Sequence, residues 1–185
     1  MKTQNMQTKL ASVFDSLKET FSYTNVMQTP RIDKVIVSTG IGKIEDKRKI
    51  GLIQDRLAQI TGQKASPRAA RMSIATFKLR EGDIVGYQVT LRGARMRTFL
   101  DKLIDVALPQ TRDFRGLNAT AIDEMGNITL GLKDHTIFPE TVNDDLADVF
   151  GLAITIVTTA KTPAEAEALL RHIGLPLKKQ ETETK

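Results

Sequence analysis

The 185-residue chain has no cysteine, no tryptophan and only two histidines, and aromatic side chains make up 5% of it. Without cysteine there is no disulfide, no thiolate metal site and no thiol nucleophile. His135 and His172 have no second nitrogen, carboxylate or thiol at ligand spacing, so each reads as a surface or helix-end residue and no metal is expected. So few rings exclude a platform that grips single strands by stacking bases along Phe and Tyr. Long apolar runs are missing as well. The longest, Leu152 to Val157, is interrupted by Thr155 and far too short to span a bilayer, and the first residues lack the apolar stretch of a signal peptide. A cytoplasmic setting and no membrane partner are therefore expected.

Catalytic motifs are equally sparse. Gly40-Ile41-Gly42 lacks the third glycine of a dinucleotide loop, since Glu45 stands there, and a strand exit that needs positive φ is the plainer reading. No P-loop sequence and no nucleophile elbow occurs. Asp144-Asp145 reads as acid at a helix N-terminus, where the dipole favours it. Neither an enzyme nor a cofactor is expected. Two rival readings stay open: a phosphate-handling enzyme using the Gly40-Gly42 turn at a helix start, and a free regulatory RNA-binding protein.

What the chain does have is cationic charge, unevenly spread. The net charge is +5 and the isoelectric point about 9.5. Residues 1–61 carry 10 basic and 6 acidic side chains, residues 62–115 carry 11 and 5, and residues 116–185 carry 6 and 11. This asymmetry favours an oriented contact, with a polyanion against the first two thirds. The cations concentrate between Thr61 and Arg97, which reads as a strand, a long basic loop and a return strand. In the return strand Tyr87, Val89 and Leu91 alternate with Gln88, Thr90 and Arg92, so one face is core and the other is free to hydrogen-bond. An outward face of Gln, Thr and Arg beside a loop dotted with Lys and Arg suits ribose and phosphate better than a small substrate. Single basic residues on a loop are often merely solvated; their clustering is the signal.

The remaining elements follow from spacing. Leu10, Val13, Phe14 and Leu17 predict an amphipathic helix over Thr8 to Thr20. A strand is expected from Arg31 to Thr39 and a helix from Asp46 to Thr61, with Gly62 as its left-handed cap. After Gly93 a helix stripe of Met96, Phe99, Leu100, Leu103 and Ala107 runs until Pro109. Strands at Ile128 to Lys133 and Leu152 to Thr159 flank a short helix from Asn143 to Val149. Thr162, Pro163 and Glu165 open a last helix that ends at Gly174. In the RDFRG loop, Arg112 and Arg115 are either RNA-facing or structural.

Strands that alternate, and do not run continuously apolar, argue for an α+β fold. The expectation is two layers, a mostly antiparallel sheet with helices packed on one face and the other face open for RNA. One domain is expected over residues 1–177, with residues 178–185 as a flexible tail. Recognition should rest on backbone and sugar contacts to structured RNA.

The order and spacing of NVMQTPRIDKVIV, ITGQK, FKLREG, VTLRG, LIDVALP, RDFRGLN, IFPE and IVTTAKT resemble the bacterial large-subunit ribosomal protein five family, which binds 5S ribosomal RNA. The resemblance implies a structural constituent of the large subunit that anchors 5S ribosomal RNA in the central protuberance. It implies further partners: large-subunit ribosomal RNA, neighbouring large-subunit proteins, P-site transfer RNA at the basic loop, and small-subunit protein thirteen across the subunit bridge. By position, Gln63, Thr90 and Arg92 match the family's 5S-binding residues, and Ser38 stands where the family usually has an asparagine. Lys34, Lys64 and Gln88 are grouped with them. Arg68, Arg71, Ser73, Lys78 and Arg80 fall in what resembles the transfer-RNA loop.

Overall fold

The computed structural model describes residues 5–42, 44, 46–111, 114–142 and 148–178. Where the apolar spacing predicts one N-terminal helix, two form: α1, Met6–Ala11, and α2, Val13–Phe21. Ser12 divides them. Its hydroxyl donates to the Lys9 carbonyl at 3.1 Å, competing for an acceptor that a continuous helix would use, and His172 Nε2 lies 3.0 Å from both Ser12 Oγ and that carbonyl.

Strand β1 is Ile32–Gly40 and helix α3 is Lys47–Thr61. Asp46 caps α3, its Oδ1 accepting from Arg48 N–H at 2.8 Å. At the other end Gly62 adopts φ 67°, the left-handed cap its position predicts. Strand β2, Ser66–Ala69, is shorter than the expected first arm of the hairpin and exposed throughout. It pairs antiparallel with β3, Ile84–Leu91, from Ser66 opposite Gln88 to Arg68 opposite Gly86, with a bulge before Ala69.

Helix α4 is Gly93–Lys102. Pro109 does not end the helical run but lies inside its final turn, α5, Leu108–Gln110. Between them Leu103–Ala107 form a π-helical turn in which the Leu108 N–H bonds the Leu103 carbonyl, five residues back. The wider turn comes just ahead of a residue that has no N–H to give and whose ring would crowd the carbonyl of a regular turn.

Strand β4 is Ile128–Leu132, β5 is Leu152–Thr158 and α6 is Pro163–His172. The start of α6 forms as its sequence predicts, with Thr162 Oγ1 accepting from Glu165 N–H at 3.3 Å. Of the short helix expected from Asn143 to Val149, residues 143–147, with the Asp144-Asp145 pair, lie outside those described.

The strands form one antiparallel sheet in the order β2-β3-β1-β5-β4. Along β4 and β5 every second residue is buried, and in β3 Tyr87, Val89 and Leu91 are buried while Gln88 and Thr90 between them are only half-covered. With its helices this is the α+β architecture that the alternating strands predict. The chain divides into two compact units: one contains Met1–Val35, Arg92–Leu130 and Thr155–Lys185, the other Ile36–Leu91 and Gly131–Ile154. In the first, α1 packs on α4 and α2 on α6; in the second, α3 packs on β3.

Two further local expectations do not hold. Gly40 and Gly42 are absent from the positive-φ residues, so the turn after β1 is not a left-handed exit. There is open space where a Cβ would stand at either. His135 is no surface residue: it is fully buried, stacked on Phe150 at 4.1 Å between ring centroids, and its Nδ1 accepts from Phe150 N–H at 3.4 Å. The ring uses its flat apolar faces as core and its nitrogen to satisfy a buried amide. His172 does sit at a helix end, on the last residue of α6.

Two expected outcomes test this packing. A Cβ added to Gly86 would lie 2.6 Å from the Thr39 carbonyl oxygen, a backbone atom that cannot swing away. Gly86→Ala should therefore cost about 1–3 kcal/mol, read as a lower urea midpoint. The Tyr23 side chain is buried, and this burial, with the adjacent Glu165 carboxylate adding to it, pushes the phenol up to about 12. A raised value keeps the proton on in the folded state, so the stabilisation is whole below about pH 10 and is lost as pH climbs to 12. Urea unfolding above about pH 10 should show a decline that Tyr23→Phe lacks.

Candidate nucleic-acid interface

In the second unit, the sequence-selected polar residues gather around β3. Gln88 and Thr90 point away from the face that buries Tyr87, Val89 and Leu91, because successive side chains of a strand alternate. Gln63 arrives from a distance of 27 residues: its Nε2 donates to the Thr90 carbonyl at 3.5 Å. The end of α3 makes this possible. The Thr61 hydroxyl lies 2.6 Å from the Leu57 carbonyl and 3.1 Å from the Gln63 carbonyl, so helix end and following loop share one donor. Gly62 turns the chain, Lys64 is left exposed and Ala65 is buried. On β1, the strand next to β3, Ser38 is half-buried with its hydroxyl 3.5 Å from the Ala153 carbonyl, while Thr39 beside it faces inward and donates to the Gly151 carbonyl at 2.8 Å. Ser38, Gln63, Gln88 and Thr90 all keep part of their surface in solvent.

In the first unit, Lys34 is half-buried and Arg92 exposed. Arg92 follows the last residue of β3 in extended conformation and precedes α4. Its Nη1 lies 2.7 Å from Asp33 Oδ1. Sequence reasoning missed this partner, although an aspartate beside Lys34 at an outward strand position was the available signal. An exposed pair of this kind is worth roughly 0–1 kcal/mol, so it orients the guanidinium without consuming it, and the remaining N–H donors stay available to an anion.

The basic arm occupies residues 70–83 and is ordered by backbone bonds, without a core. Ala70 N–H bonds the Asp83 carbonyl at 2.8 Å and Gly82 N–H the Ala70 carbonyl at 3.0 Å; further out, Ile74 and Leu79 exchange bonds of 3.0 and 3.2 Å. Ser73 Oγ accepts from Glu81 N–H and Asp83 Oδ2 from Arg80 N–H, both at 2.9 Å. Lys78 takes φ 52° at the tip. Arg68, Arg71, Ser73, Lys78 and Arg80 are all solvent-facing. Beside them stand Met72 and Phe77, 72% and 73% exposed, which the charge pattern had hidden. Arg115 is exposed, and Arg112 lies outside the described residues.

The arrangement offers contact chemistry and little else. Among the described residues no group of three or more His, Asp and Glu could hold a metal, and no helix is long and apolar enough to cross a membrane. The start of α3, where a phosphate would have to sit after the Gly40-Gly42 turn, already carries the Asp46 carboxylate on its backbone N–H. Asp123 is held below the usual carboxylate range by hydrogen bonds from the Asn127 side chain and backbone, at 3.0 and 2.6 Å, which fix the turn before β4.

Comparison with known proteins matches the chain to a family. Residues 25–80 match the family model described as ribosomal protein L5, and residues 84–177 match the model of the same family's C-terminus. The chain is 49% identical over 168 residues to the large ribosomal subunit protein uL5 of Flavobacterium johnsoniae, covering 90% of this chain and 92% of that one. It is 46% identical to the proteins of the same name from Ureaplasma urealyticum and Ureaplasma parvum, each over 90% of this chain and 91% of theirs. Two adjoining family models and near-full-length identity agree: the chain belongs to the ribosomal protein L5 family.

Proposed function

We propose that the chain is a non-catalytic, cytoplasmic constituent of the large ribosomal subunit that binds 5S ribosomal RNA through the outward face around β3. The observation that carries this reading is the solvent-facing polar set of Ser38, Gln63, Gln88 and Thr90, gathered on and around a strand whose other face is committed to core. Lys34, Lys64 and Arg92 add positive charge, and the relatives' shared name supplies the ribosomal setting. Such a surface places hydroxyls and amides at fixed spacing for ribose and phosphate, while each Lys or Arg contact releases condensed counterions.

The arm is a separate device in this reading. Arg71, Ser73, Lys78 and Arg80 project from a backbone-ordered loop and, with Arg68 in β2 at its base, are assigned to P-site transfer RNA; other surfaces meet large-subunit ribosomal RNA, neighbouring proteins and small-subunit protein thirteen. No residue in either region is asked to perform chemistry.

Filter-binding titrations with 5S ribosomal RNA test the first assignment. Thr90→Ala and Arg92→Ala should each cost roughly 1–3 kcal/mol of affinity. The logarithm of the binding constant should fall with that of salt by about 0.7–0.9 per phosphate neutralised. Unchanged binding in both variants would remove the sheet face from the interface. For the arm, Arg71→Glu with Lys78→Glu should leave 5S binding intact and weaken transfer-RNA retention on reconstituted ribosomes; loss of 5S binding instead would merge the two sites.

A further inference from the structure

The turn ahead of β1 holds two large apolar side chains in water. Asn25 Oδ1 accepts from Met27 N–H at 3.0 Å, and Gln28 Oε1 returns to accept from Thr24 N–H at 3.0 Å and Asn25 N–H at 3.4 Å. This reciprocal cap locks the one-turn helix Val26–Gln28 and leaves Val26 and Met27 60% and 79% exposed. Both line a groove of about 410 Å³ within the first unit, together with Phe14, Met96, Arg31 and Arg97. The volume is within the ~300–1,000 Å³ of small-ligand sites.

The charge around this groove is mainly positive. Arg31 is exposed and Arg97 half-buried. Asp33, the single carboxylate among the lining residues, is held by Arg92 at 2.7 Å. Lys18 Nζ stands 5.6 Å from the centre of the Phe14 ring. A phenyl ring and two polarisable thioethers beside two guanidinium groups match a flat apolar ring carried on an anionic backbone. An apolar protein side chain would fill the same walls but would leave Arg31 and Arg97 without counter-charge.

We propose that this groove seats an unpaired nucleobase of a bound RNA, with the flanking phosphates on Arg31 and Arg97. The proposal rests on the RNA-binding reading above but not on the face around β3. A duplex keeps its bases stacked inside, so the recognised feature is a loop or bulge whose base is splayed out.

The test uses the full chain with carbon-13 methionine methyl groups, titrated with single-stranded oligoadenylate at low salt. The Met27 and Met96 methyl resonances should shift by ring current while Met125, exposed in the turn before β4, stays in place. Met27→Asp, at a position exposed enough to leave folding untouched, should weaken oligoadenylate binding about tenfold. Arg97→Gln should flatten its salt dependence by about one phosphate's share. Unmoved Met27 and Met96 methyls at saturation, or full RNA affinity in Met27→Asp, would overturn the proposal and assign the groove to a protein partner. Thr90→Ala separates the two sites: it should lower 5S affinity and leave oligoadenylate untouched. Failure of the wild-type chain to bind 5S ribosomal RNA would sink the 5S reading alone.

Discussion

The alternation of side chains along β3 is the constraint on which the rest depends. A strand gives every second residue to each side, so burying Tyr87, Val89 and Leu91 in the core obliges Gln88 and Thr90 to look the other way. A slip of one residue would bury an amide and a hydroxyl and expose three apolar side chains. The register is fixed where β3 passes close to β1: the missing Cβ of Gly86 lets the Thr39 carbonyl approach to a distance that no side chain allows. Core packing, not any property of the ligand, thus sets the spacing of the polar groups that the surface presents.

The surface around β3 and the arm are ordered by different means. Gln63 and Thr90 are placed by a helix cap and a buried strand, so their positions inherit the rigidity of the core. The arm has hardly any buried side chains, and its shape rests on main-chain bonds across its neck and on two side-chain acceptors, Ser73 and Asp83. Elements held by exposed backbone bonds open locally at low cost. A rigid surface suits a permanent partner, and a yielding arm suits one that comes and goes.

Much of this was legible in the sequence, because periodicity reports burial. The outward positions of β3, the left-handed cap at Gly62 and the Thr162 start of α6 all came from local rules that tertiary structure left alone. What was not legible came from contacts distant in sequence. His172 reaches back across some 160 residues to the break at Ser12, His135 finds Phe150, and Asp33 finds Arg92; spacing along the chain carries no trace of such meetings. The π-helical turn before Pro109 was hidden for another reason: a rule that proline ends helices does not foresee a backbone that widens to admit it. Family resemblance and periodicity agreed on which residues face outward, and neither pointed to the exposed Val26 and Met27.

The edge strand β2 bears on the life of the chain before it meets any partner. A sheet edge is a template for a further strand, and a second copy of the same protein is the nearest candidate. This edge is only four residues long, contains Pro67 with no N–H to offer, carries a charged Arg68 and is interrupted by a bulge. It thereby discourages polymerisation of newly made chains that are waiting for their place in an assembly.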